Sequence, residues 1–119
     1  SATALELDIF ENDSKNKFGY HDNVHKWKGE HTDQGKWVVT PDLSADFHTL
    51  GCEYSATEVK YYFDGKLVRT TDLSSMPHSD LNIWLTTIAT FIGNTEKVDD
   101  TKLPSAAVYD YVRFYEPVK

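Results

Sequence analysis

The chain has 119 residues, 12 of them Lys or Arg and 19 Asp or Glu, for a formal net charge of −7. That balance leaves no basic stripe to displace counterions from a phosphate backbone, so no nucleic acid is expected as a partner. Length allows one domain, residues 1–119, with a modest core, and three Trp, seven Tyr and six Phe are too many aromatics for a disordered chain.

Residues 5–11 form the first predicted element. Leu5, Leu7 and Ile9 alternate with Glu6, Asp8 and Phe10, the period of two of a half-buried strand with Glu6 and Asp8 on one face. Glu11 has the wrong parity for that face, and a bulge at Ile9-Phe10 would absorb one residue and bring it back. The Cα atoms of Glu6 and Glu11 then lie roughly 13 Å apart. Inward-leaning glutamates at that spacing can bring their carboxyl groups near the roughly 5–5.5 Å of a retaining glycosidase, with the wider inverting gap left open. Three like charges on one strand cannot all ionise cheaply, so at least one pKa rises, and Asp8 in the middle is placed to hold or share the proton. The spacing by itself is weakly specific. With 19 acidic residues in 119, a shuffled chain matches it roughly half the time, and a solvated acidic edge strand that blunts aggregation has the same pattern.

Residues 12–19 read as a polar loop, and residues 21–27 as a strand with His21, Asn23, His25 and Trp27 on one face. Residues 28–36 are a second polar loop in which His31 reads as merely solvated. A short strand at 37–39, a connection at 41–46 and a strand at 47–54 follow. Residues 58–63 and 66–71 flank Asp64-Gly65, the clearest local signal in the chain, because Asp-Gly between two β-rich runs supplies the positive φ angles of a tight hairpin turn. The long apolar run 81–91 and the strictly alternating run 106–116 are read as the last two strands. The lone Cys52 is read as a small buried apolar residue. With no sustained helical periodicity, the chain is expected to be an all-β, antiparallel sandwich. No apolar run approaches the roughly 20 residues of a membrane span, so no membrane partner is expected. No secretory leader precedes Ser1, and the chain reads as mature or trimmed.

Three ordered stretches together resemble the C-terminal half of a glycoside hydrolase family 16 catalytic domain, the laminarinase, agarase and carrageenase group of concanavalin-like jelly rolls. The first is Glu6-Leu7-Asp8-Ile9-Phe10-Glu11 with His25-Lys26-Trp27 after it. The second runs from Phe47 to Tyr54 and from Val59 to Lys66, with Tyr54 where the family usually has Trp. The third is Ile83-Trp84-Leu85-Thr86-Thr87 with the closing run from Tyr109 to Tyr115.

The resemblance implies a secreted, endo-acting hydrolase of β-linked polysaccharide, of the β-glucan or marine galactan type. In such an enzyme Glu6 would attack the anomeric carbon, Glu11 would protonate the leaving oxygen and then activate water, and Asp8 would hydrogen-bond the nucleophile. His25 would orient a carboxylate or bind a sugar hydroxyl. Trp27, and less directly His21 and Trp84, would contact sugar, although Trp84 reads equally as a core residue. No cofactor is implied for catalysis. A structural calcium is implied at Asp110, with its other ligands outside this chain. Length is the departure, because family domains are about twice as long and the missing part is N-terminal. A fragment, a cleaved chain with an N-terminal companion, and a half-length protein completed by homodimerisation all fit. A carbohydrate-binding or structural β-sandwich without turnover is the alternative from another class.

Overall fold

The computed structural model describes residues 4–13, 15–88 and 99–118. They divide into two units, Ser1–Trp84 and Leu85–Lys119. All seven strands assigned among the described residues lie in the first unit: β1 Leu5–Glu11, β2 Gly19–Lys26, β3 Thr32–Asp33, β4 Lys36–Val39, β5 Leu50–Tyr54, β6 Glu58–Phe63 and β7 Lys66–Asp72. Every strand pairing is antiparallel, as the sequence predicts.

Two sheets form the unit. In the first, β1 pairs with one edge of β2, while β3 and β4 share its other edge in succession. The second is the meander β5-β6-β7. Leu5 and Val24 from the first sheet meet Val59 and Tyr61 from the second, and Leu73 beyond β7 completes this buried cluster. Burying such side chains contributes roughly 1.5–3 kcal/mol each. The Tyr61 hydroxyl crosses between the sheets and donates to the backbone carbonyl of Asn23 at 2.7 Å. A second tie is ionic: Arg69 of β7 reaches Asp22 of β2, Nε to Oδ1, at 2.8 Å, where Asp22 is fully buried. The same guanidinium donates to the Gln34 carbonyl at 2.7 Å and lies over the Tyr61 ring.

Asp64 and Gly65 both have positive φ, 48° and 76°, and they join Phe63 to Lys66 as a two-residue hairpin turn. The Asp64 carboxylate also accepts from the Thr49 amide and contacts the His48 ring, both at 2.9 Å. These contacts explain why the strand expected over 47–54 begins only at Leu50: residues 48 and 49 brace the turn. In the loop expected over 28–36, β3 pairs for two residues with His25 and Lys26.

The two late strands are the main corrections. Residues 81–88 and 106–116 carry no strand in the structure, and residues 89–91 lie outside the described residues. An apolar or alternating run specifies which side chains could share a face, but a strand exists only when a neighbour takes up its amides and carbonyls. Among the described residues, no ladder partner pairs with either segment. Among the described residues of the second unit, Asp100–Lys102 form a 3₁₀ turn whose Thr101 amide donates to the preceding Asp99 carboxylate. Val108, Phe114 and Tyr115 there are 69–75% exposed. Cys52 is partly buried against the core rather than fully enclosed, and burial holds its thiol proton up to about 11.

Gly19 shows how tightly the first sheet is built. A Cβ there would lie 2.4 Å from Trp37 Cζ2 and 2.5 Å from the Val38 carbonyl oxygen, and the backbone oxygen cannot rotate away. Gly19→Ala is therefore expected to destabilise the protein by about 1–3 kcal/mol, read as a lowered urea midpoint. An unchanged midpoint would mean that Trp37 does not lie over Gly19.

Candidate active site

The register of β1 on β2 decides what the acids share. Glu6 opposes His25 and Asp8 opposes Asn23, but Glu11 opposes His21, so three steps along β1 match two along β2. Ile9 and Phe10 thus stand together opposite Asp22, as a bulge requires. Both side chains go to the apolar side: Ile9 packs on the core and the Phe10 ring lies 4.9 Å from that of Tyr20. The extra residue returns Glu11 to the face of Glu6 and Asp8. Because directly opposed residues share a face, His21, Asn23 and His25 join them.

Hydrogen bonds organise this face. The Trp27 indole N–H donates to Glu6 Oε2, and His25 Nε2 contacts Asp8 Oδ2 at 3.1 Å. Asp8 holds its proton up to about 7, through burial first, then the charges of Glu11 and Glu6, and last a hydrogen bond to Glu6. Three acids in mutual electrostatic contact therefore do not ionise together, and the proton resides on the central one.

A stability consequence follows. Unfolded Asp8 ionises near 3.8, whereas the folded group keeps its proton to about 7. Between those values the folded state binds the extra proton, so Asp8 makes the fold less stable as pH rises from 4 to 7. The side chain is 15% exposed, and the effect is at most about 4 kcal/mol. Asp8→Asn has no proton to lose and mimics the neutral acid. Urea unfolding at pH 5 and pH 8 should show the variant gaining on the wild type at the higher pH, whereas a constant difference would place the proton elsewhere.

Sequence reasoning missed two members of this region. Trp37 opposes His21 across β2 and β4, its ring meeting that imidazole edge-on at 5.1 Å. His31, read as solvated, is stacked on Trp27 with centroids 4.1 Å apart and planes 7° apart, and its Nε2 lies 3.0 Å from His25 Nδ1. The available signal for Trp37 was the short β-rich run 37–39 beside the histidine strand, whereas no local pattern marks His31. Trp84 is 79% exposed, which corrects the core reading, and among the described residues no ring contact joins it to the acids. Asp110 lies in the second unit and is exposed. Among the described residues, no three side-chain carboxylates, imidazoles or thiols converge on it, so the described side chains do not by themselves form a calcium cage.

The model of the family described as "Glycosyl hydrolases family 16" matches residues 1–109. The chain belongs to glycosyl hydrolase family 16. Among curated relatives, a protein named "Beta-glucanase" from Fibrobacter succinogenes is 28% identical over 120 residues, covering 94% of this chain and 33% of the relative. A second, named "Beta-glucanase" from Rhodothermus marinus, is 29% identical over 133 residues, covering 96% of this chain and 45% of the relative. The chain thus spans a third to just under half of the length of these relatives. No solved structure gives a significant match.

Proposed function

We propose that this chain supplies the acid strand of a secreted, retaining endo-glycoside hydrolase that cuts β-linked polysaccharide, with β-glucan as the first substrate class. The observation that carries the reading is the bulge that returns Glu11 to the face of Glu6 and Asp8. Two carboxyl groups on one face can flank one glycosidic bond. On opposite faces they could not.

In this mechanism Glu6, oriented by the Trp27 indole, attacks the anomeric carbon while Glu11 protonates the departing oxygen. Glu11 then takes a proton from water as the glycosyl–Glu6 ester is hydrolysed. Asp8 keeps its proton against Glu6, which removes one charge from the strand and allows the nucleophile to remain an anion. His25 positions Asp8. His21, Trp37 and the exposed Trp84 are the sugar-contacting residues, since an aromatic face complements the apolar face of a pyranose. Trp27, with His31 stacked on its ring, serves the nucleophile more than an open sugar platform.

The strand-free runs 81–88 and 106–116 expose Trp84, Val108, Phe114 and Tyr115, and they pair in this reading with strands supplied by an N-terminal companion or a second copy. A structural calcium at Asp110 would draw its other oxygens from the same source. The names of the two relatives support β-glucan.

The test is depolymerisation by the full-length protein of a panel of β-glucans, agars, carrageenans and galactans. Early loss of viscosity with mid-length products from β-glucan is expected. Retention on immobilised polysaccharide with no new reducing ends would instead identify a carbohydrate-binding sandwich.

A further inference from the structure

Among the described residues, one cluster of metal-ligating side chains offers a chemistry that the reaction above does not use. His25, His31 and Asp33 present one ligand atom each within 4.8 Å of one another. We infer that these three residues form a binding site for a divalent transition-metal ion of the zinc class, held at the β2–β3 edge.

The backbone builds the site. The two-residue strand β3 sets Asp33 directly opposite His25, and the turn through Gly29, at φ 80°, brings His31 back over the same face. His25 Nδ1 and His31 Nε2 stand 3.0 Å apart. An ion at zinc–nitrogen distance from both would subtend an angle of roughly 95°, and opening by a few tenths of an ångström reaches the tetrahedral value. Asp33 and His31 are exposed, so rotation of the carboxylate can close the third side and leave the fourth position to water. Imidazole donors select zinc-class ions over calcium, which takes oxygen ligands.

The outer contacts also suit a metal. His25 uses its other nitrogen, Nε2, against the Asp8 carboxyl at 3.1 Å, the arrangement in which a ligating histidine has its ring and tautomer fixed from behind, with the Nδ1 lone pair facing the ion. His31 is steadied by its stack on Trp27. Without an ion, the two facing nitrogens lie within hydrogen-bond distance of each other.

The test is titration of Zn²⁺ into the chelator-treated, dialysed full-length protein and its His31→Ala variant. The wild type should bind one equivalent more than the variant, Asp33→Asn should bind that equivalent more weakly, and circular dichroism of the metal-free proteins should show one shared fold because His31 is exposed and outside the core. In ¹⁵N-detected spectra of the wild type, His25 Nδ1 and His31 Nε2 should shift on Zn²⁺ addition, an arm that needs no variant. Equal stoichiometry and affinity in wild type and His31→Ala, or imidazole shifts confined to other histidines, would overturn the site.

Discussion

Glu6→Gln in the full-length protein is expected to reduce kcat at least 10³-fold while leaving the fold intact. The amide has the volume of the acid and keeps an oxygen to accept from the Trp27 indole, so the strand and its partner have no reason to move. What disappears is the anion that, in the proposed mechanism, forms the covalent intermediate. Losing a nucleophile removes an interaction made in the transition state, a loss of roughly 4 kcal/mol or more. Steady-state kinetics on β-glucan, with circular dichroism to confirm folding, measures this. A variant turning over at the wild-type rate would show that Glu6 is not the nucleophile.

Arg69→Leu carries the largest expected cost to stability. Asp22 is fully buried, and Arg69 is its ion-pair partner across the two sheets. Burial already raises the Asp22 pKa against the lowering effect of Arg69. Removing the guanidinium strands a carboxylate between the layers, which costs about 3–5 kcal/mol. The unpaired acid escapes part of that cost by taking up a proton, so the deficit should be smaller at pH 5 than at pH 8. Asp22→Asn combined with Arg69→Leu removes both charges and should recover much of the loss. Urea midpoints for the three proteins at both pH values give the comparison, and an Arg69→Leu midpoint equal to wild type would mean that the pair does not hold the sheets. Because Asp22 stands opposite Ile9 and Phe10, this pair also underlies the bulge that orients Glu11.

The parts of this molecule legible in the sequence are those fixed by local parity. β1 is predicted at its observed limits, and the bulge follows from Glu11 being one residue out of step with Glu6 and Asp8. The Asp64-Gly65 turn is legible because positive φ at two successive positions restricts the residues that fit. The misses involve partners distant in sequence. Residues 81–88 and 106–116 have the composition of strands, but composition supplies no neighbour for their amides. His31 and Asp33 reach His25 through a two-residue ladder too short to produce a pattern, and Trp37 enters by pairing on the far edge of β2. The family resemblance reached the acids without the structure, since all three stand in one continuous strand. It gave no sign of the imidazole pair, whose members lie six residues apart across a turn.

The central claim is that Glu6 forms a covalent bond to sugar while Glu11, returned to its face by the bulge, serves as acid and base. Mass spectrometry of the full-length protein after inactivation with a 2-deoxy-2-fluoro β-glucoside oligosaccharide tests this most directly, because the fluorine slows hydrolysis of the glycosyl–enzyme ester and preserves it for sequencing. Fragmentation of the peptide containing residues 5–11 should place one glycosyl group on the Glu6 side chain. A label on Asp8 or Glu11, or rapid turnover of ordinary substrate by a protein that never acquires the label, would contradict the account.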